Sequence, residues 1–160
     1  MTTYYAKCLL RLCPTSNGMI TPTKMFVATK AFIVKDGKVL MVREAAAYDV
    51  GTNAGRYDVV GGRIEPGEHY EDALHREVKE EVGLEVDIIG PFAVSEWFPN
   101  VKGEQWHIVA IFFECKPKTD TVTLGTDHDD YKWIDPAAID KEPIMDNLRP
   151  VFFKYLKRNA

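Results

Sequence analysis

Residues 62–84 read GRIEPGEHYEDALHREVKEEVGL, and the rest of the chain is organised around this stretch. Its second half gathers Arg76, Glu77, Glu80 and Glu81 and ends on Gly83. On an α-helix, Glu77, Glu80 and Glu81 fall at i, i+3 and i+4, so three carboxylates share one face. Leu74, Val78 and Val82 form a neighbouring apolar stripe suited to a core. Gly83 takes the position that ends a helix in the left-handed conformation. Ahead of the helix, Pro66-Gly67 marks a turn, and Gly61-Gly62 lets the backbone approach another element closely.

Three like charges on one face oppose folding unless something neutralises them. Glu-rich helix faces are ordinarily solvated. Carboxylate oxygens clustered in this way also suit a hard cation such as Mg²⁺ or Mn²⁺.

The whole stretch separates these readings. It resembles the Nudix box, G-x5-E-x7-R-E-U-x-E-E-x-G-U, where U is a bulky aliphatic residue. Gly62, Glu68, Arg76, Glu77, Val78, Glu80, Glu81, Gly83 and Leu84 occupy every defined position. The resemblance implies an α/β/α sandwich with a mixed β-sheet, the box forming a loop-helix-loop. The expected organisation is one Nudix domain over residues 1–160, with a looser likeness from about Val27 to Trp133. The resemblance further implies that Glu77, Glu80 and Glu81, with the backbone carbonyl of Gly61, ligate one to three Mg²⁺ or Mn²⁺ ions. Arg76, Glu80 and Glu81 are then the catalytic group. Family members differ in the residue that acts as base; Glu80 is the choice within the box. Arg76, the one cation in its turn, is expected to pair with Glu68 and hold the loop against the helix.

Composition narrows the function classes. The chain has 160 residues, a net charge of −4, 46% hydrophobic and 28% charged residues, the proportions of one globular domain. No basic tract is present, which argues against a nucleic-acid polymer as partner. The acidity also means that a phosphorylated substrate needs bound cations. Cys8, Cys13 and Cys115 form an odd set without CxxC spacing, which fits a reducing cytoplasm. Lys7 and Arg11 interrupt the apolar N-terminal residues, so no signal-peptide core is expected, and no run has the length of a membrane span.

Along the chain, residues 1–23 read either as an added strand or as a dimer arm, the latter making a homodimer. Met25–Val34 and Val39–Arg43 flank Asp36-Gly37, a strong hairpin signal. A short strand is expected at Tyr57–Val60, two extended pieces at Glu85–Ile89 and Phe92–Phe98, and a central strand at Gln105–Cys115, apolar on both faces. His107 within it reads as a satisfied core residue. Tyr131–Ile134 reads as a strand and Pro136–Ile139 as a helical turn. A last helix to Lys157 is expected, capped by Asp146 or Asn147 and burying Leu148, Phe152, Tyr155 and Leu156.

Substrate choice rests on the flanks. Asp127-His128-Asp129-Asp130-Tyr131-Lys132-Trp133 resembles the E-H-x-x-Y-[RK]-W run of several Nudix enzymes, with Asp127 one methylene shorter than the usual Glu. Pro99, fifteen residues beyond Leu84, resembles a marker of ADP-ribose hydrolases, although residues 98–104 lack the fuller P-S-P-G pattern. Trp97, Phe98 and Trp106 are either base-stacking or core aromatics. Arg43 and Lys102 are candidate phosphate contacts, so Arg43, Trp97, Phe98 and Pro99 make up the expected substrate-binding set. The resulting expectation is Mg²⁺-dependent hydrolysis of a diphosphate linkage in a nucleoside diphosphate joined to another moiety, ADP-ribose or a similar sugar nucleotide first, with a (d)NTP as its competitor. A nucleotide-sensing regulator without hydrolysis is the rival of another class, and an isomerase of the same fold a third.

Overall fold

The computed structural model of the chain describes residues 24–46 and 53–159. The strand or arm expected within residues 1–23 lies outside the described residues, as does part of the loop before Tyr57. In chain order the elements are β1 Lys24–Lys35, β2 Lys38–Glu44, β3 Tyr57–Asp58, α1 Tyr70–Val82, β4 Val86–Trp97, β5 Asn100–Val101, β6 Glu104–Pro117, β7 His128–Ile134 and α2 Arg149–Arg158. Two 3-10 turns, Pro136–Lys141 and Asp146–Leu148, precede α2. No helix among the described residues is long and apolar enough to cross a membrane.

The strands run in the order β3-β2-β1-β6-β4, with β7 added on β2 and β5 on β6. β1 and β6 are parallel, from Lys24 opposite Trp106 to Ile33 opposite Cys115, while β4 is antiparallel to β6. The sheet is therefore mixed. The β1–β2 hairpin turns through Asp36 (φ 50°) and Gly37 (φ 73°), two left-handed residues in succession, as a two-residue turn of matching twist requires.

Alternation along the inner strands sends residues to two cores. On one face Ala31, Ile33, Leu40, Val42 and Phe113 pack against Leu74, Val78 and Val82 of α1. On the other, Phe32, Val39, Met41 and Phe112 meet Val151 and Phe152 of α2, with Leu148 and Ile139 beside them. One helix on each face of a mixed sheet is the α/β/α sandwich expected from the sequence. Leu74, Val78 and Val82 are fully buried, each contributing about 1.5–3 kcal/mol of apolar burial. Gly83 ends α1 at φ 68° and donates its N–H to the Lys79 carbonyl. Thr123 and Gly125 then donate to the carbonyls of Val82 and Glu81, both at 2.9 Å, so the loop before β7 closes the helix end.

Several expectations are corrected. The two extended pieces at 85–89 and 92–98 are one strand, β4, with register shifts at Ile88/Gly90 and Pro91/Ala93. β4 lies at the sheet edge, where bulges absorb a proline that cannot donate. α2 begins at Arg149 with Leu148 as N-cap and no side-chain cap, because Asp146 and Asn147 lie in a 3-10 turn. Its buried stripe takes Val151; Leu156 is exposed, having rotated past the edge of the core face. His107 is not a core residue: its Nε2 lies 2.8 Å from Glu96 Oε2 and its ring stacks on Phe98 at 4.4 Å.

Candidate active site

The loop from Val59 to Ile64 is fastened to β1 by its backbone. Ala31 N–H donates to the Val60 carbonyl (2.8 Å), Thr29 N–H to Gly62 (2.9 Å), and Ile64 N–H to Val27 (3.0 Å). Gly61 has φ 126°, and a Cβ there would lie 2.3 Å from the Thr29 carbonyl oxygen. A Cβ on Gly62 would lie 2.6 Å from the Glu77 carboxylate. The glycine pair thus lets one loop sit directly between a central strand and the acidic face of α1.

Arg76 organises that face. Its Nε donates to Glu68 Oε1 (2.8 Å) and its Nη2 to Glu68 Oε2 (3.0 Å), a two-bond fork. Nη1 reaches Glu77 (2.8 Å) and Glu80 (3.3 Å), and Nη2 the Arg63 carbonyl (3.2 Å). The Arg76 bonds, with the Glu65 N–H at 3.0 Å, hold the Glu68 carboxyl down at about 2. Glu68 raises the Arg76 guanidinium above its ordinary range.

Glu81 sits differently. Its Oε2 accepts the Gly61 N–H at 2.8 Å. It keeps some surface toward the cleft, yet desolvation pushes its carboxyl up to about 7, opposed by Lys30 and the Gly61 N–H and reinforced by Glu77 and Asp58. Glu80 is the open member of the set, with its side chain 61% exposed.

Lys30 and Asp58 were not singled out from the sequence. Lys30 is buried on β1, and its ammonium donates to Gly61 O (2.5 Å), Asp58 Oδ2 (2.8 Å) and Val59 O (3.3 Å). Burial works against this charge, but Asp58 first, then Glu81 and Glu77, hold Lys30 above the ordinary lysine range. The signal was present: Lys30 is the charged residue inside the β-rich run 25–34.

All these side chains except Glu68 open onto one cleft of about 1180 Å³. Glu77, Glu80, Glu81, Lys30 and Asp58 line one part, and Phe26, Arg63, Trp97, Pro99 and Trp106 another. The Arg63 guanidinium lies over both Phe26 (4.8 Å) and Trp106 (5.1 Å), a cation set against aromatic faces. Asp127 and His128 line the cleft as well. Two members of the expected substrate set lie elsewhere. Phe98 turns onto His107, and Arg43 binds Asp129 at 2.6 Å; neither lines the cleft. Sequence spacing had no means of telling which face of a loop or strand these side chains take.

The donor set fits a hard divalent cation by chemistry, since Glu77, Glu80, Glu81, Asp58 and the Gly61 carbonyl all offer oxygen. Asp58, Glu81 and Glu77 already surround one positive group, the Lys30 ammonium, so the charge of this pocket favours a cation. Among the described residues no three acidic, His or Cys side chains are already gathered to ligand distance. Arg76 draws Glu77 and Glu80 to one side, and Lys30 covers Gly61 O.

A family profile described as NUDIX domain matches residues 25–155. The chain belongs to the Nudix family. Among its relatives is the nucleoside triphosphatase NudI of Escherichia fergusonii, 31% identical over 114 residues that span 67% of this chain and 79% of the relative. The MutT protein from Methanosarcina mazei Go1 shares the fold with a TM-score of 0.74 at 23% identity, covering 89% of this chain and 99% of the other. An ADP-ribose pyrophosphatase from Streptococcus suis 89-1591 does so at 0.58 and 19% identity, covering 81% and 85%. As a Nudix hydrolase, the chain is an enzyme acting on phosphoric anhydrides, and the cleft beside its box helix is the candidate active site.

Proposed function

We propose that this Nudix hydrolase cleaves a nucleoside triphosphate to the monophosphate and pyrophosphate in the presence of Mg²⁺ or Mn²⁺. One observation carries the reading: a single cleft joins the acidic face of α1 to a wall built from Phe26, Trp106 and Arg63. The acidic end suits a cation-bound phosphate chain, and the aromatic wall suits a base, since every base has a π-face. The name of the relative at 31% identity agrees with this substrate class.

Glu77, Glu80, Glu81 and the Gly61 carbonyl are the residues to hold the ion. Bound there, the ion supplies positive charge to the phosphate oxygens and makes water more acidic. Glu80, the exposed carboxylate of the set, takes the proton from the attacking water. Glu81 and the Gly61 N–H fix the loop against the helix, and Arg76 keeps Glu77 and Glu68 in register. Trp97 and Pro99 at the cleft wall favour a second reading, ADP-ribose cleaved to AMP and ribose 5-phosphate.

The deciding experiment compares kcat/KM for dNTPs, NTPs and ADP-ribose on one preparation and separates the products. Pyrophosphate and a nucleoside monophosphate at the highest kcat/KM support the first reading. Preference for ADP-ribose, with ribose 5-phosphate released, replaces it with the second.

A further inference from the structure

The ammonium of Lys30 has three N–H donors and uses all three, on Gly61 O, Asp58 Oδ2 and Val59 O. A buried lysine is rare, because burial of its charge is unfavourable without partners. Nothing about strand β1 requires a charge at this position, since its neighbours Ala28, Ala31, Phe32 and Ile33 are core residues. The backbone on both sides of Lys30 is bonded to the loop that carries Gly61, through Thr29 and Ala31. The side chain therefore emerges beside that carbonyl with little freedom to leave.

We infer that Lys30 is a resident cation of the active site, one that shares the Gly61 carbonyl and the surrounding negative charge with the divalent ion and thereby sets how tightly that ion is held. This rests on the proposed use of Gly61 O and the box carboxylates as metal ligands. The shortest of the three Lys30 bonds is to that carbonyl oxygen. A divalent cation arriving at the same oxygen displaces the ammonium and meets its repulsion. Asp58 gives the displaced ammonium a partner, so Lys30 swings about that carboxylate and stays in the cleft. The protein then holds its loop in place without metal, and releases the metal more readily than a site of carboxylates alone would. Lys30 acts here as a positioning residue, through the ligand set.

Mn²⁺ binding followed by electron paramagnetic resonance tests this without reference to turnover. The comparison is wild type against Lys30→Met, with Lys30→Arg as the variant that keeps the charge. The expected result is Mn²⁺ bound at least tenfold more tightly by Lys30→Met, with Lys30→Arg close to wild type. Equal or weaker binding by a folded Lys30→Met overturns the inference and makes Lys30 a brace alone. The wild-type isotherm separates the two claims: a wild type that binds Mn²⁺ keeps the metal reading even when Lys30→Met fails to tighten it. If neither protein binds, both fall.

The wild type also provides a test that survives a misfolded variant. A buried, hydrogen-bonded ammonium gives a slowly exchanging ¹⁵Nζ resonance, which should shift or broaden beyond detection as diamagnetic Mg²⁺ saturates the site. A Lys30 resonance unmoved at saturating Mg²⁺ overturns the inference.

Discussion

Arg76 holds Glu68 through two parallel hydrogen bonds, 2.8 Å from Nε to Oε1 and 3.0 Å from Nη2 to Oε2, across eight residues of sequence. The fork fastens the loop ahead of α1 to the helix, and the remaining guanidinium N–H groups reach Glu77, Glu80 and the Arg63 carbonyl. Lysine offers a point charge in place of a planar fork. Arg76→Lys should therefore lose most of what Arg76→Ala loses: a fall in melting temperature of several degrees and a drop in kcat larger than the rise in KM. Thermal melts and steady-state kinetics on the two variants check this. An Arg76→Lys enzyme with wild-type kinetics would show that charge alone suffices.

Glu81 makes the stability of the metal-free protein depend on pH. Desolvation puts its carboxyl at about 7 in the folded state against 4.5 for an ordinary glutamate. The folded state thus binds the proton more tightly than the unfolded state. Its stabilising effect is complete below pH 4.5 and is lost as pH rises through about 7. Melts between pH 5 and 8 in EDTA should show falling stability, and Glu81→Gln should flatten the curve. Saturating Mn²⁺ should flatten it in the wild type, because a bound cation favours the ionised carboxylate. Parallel curves for wild type and Glu81→Gln would remove Glu81 as the source.

Trp97 lines the cleft wall while its ring also packs on the α2-side core. A stack at the remote end of the substrate acts equally on ground and transition states. Trp97→Phe, which keeps an aromatic core residue, should raise KM several-fold with kcat nearly unchanged. A change confined to kcat would place Trp97 near the reacting phosphorus.

The layout of the fold was legible in the sequence wherever local chemistry and the tertiary environment agree. The box helix, its end at Gly83, the Asp36-Gly37 hairpin and the doubly buried strand around Phe112 and Phe113 all follow from spacing and turn residues. The pairing of Arg76 with Glu68 followed from the resemblance. What escaped was set by direction. Phe98 and Trp97 are adjacent, yet one stacks on His107 and the other lines the cleft, a difference fixed by the strand β4 edge. Arg43 was legible as a cation but its nearest acids, Asp129 and Asp130, come from β7, a pairing no local pattern reveals. Lys30 was legible only as an anomaly, because its partners Asp58 and Gly61 arrive from β3 and the loop after it, about 30 residues later in the chain.

Chelation should remove activity. Turnover in EDTA should fall to background and return with Mg²⁺ or Mn²⁺, and the melting temperature should climb with metal concentration, as for any ligand bound by the folded state alone. A melt insensitive to both ions up to millimolar concentration would leave the acidic face as a solvated surface.

The most direct measurement is the turnover of Glu81→Gln on the best substrate, with its melt recorded beside it. Glu81 joins the box helix to the Gly61 loop through a 2.8 Å hydrogen bond and is one of the oxygen donors proposed for the metal. The amide keeps the shape and removes the charge. The expected result is a loss of kcat by orders of magnitude in a protein that melts, without metal at neutral pH, no lower than wild type. Wild-type turnover by a folded Glu81→Gln would contradict the assignment of this cleft as the hydrolytic centre.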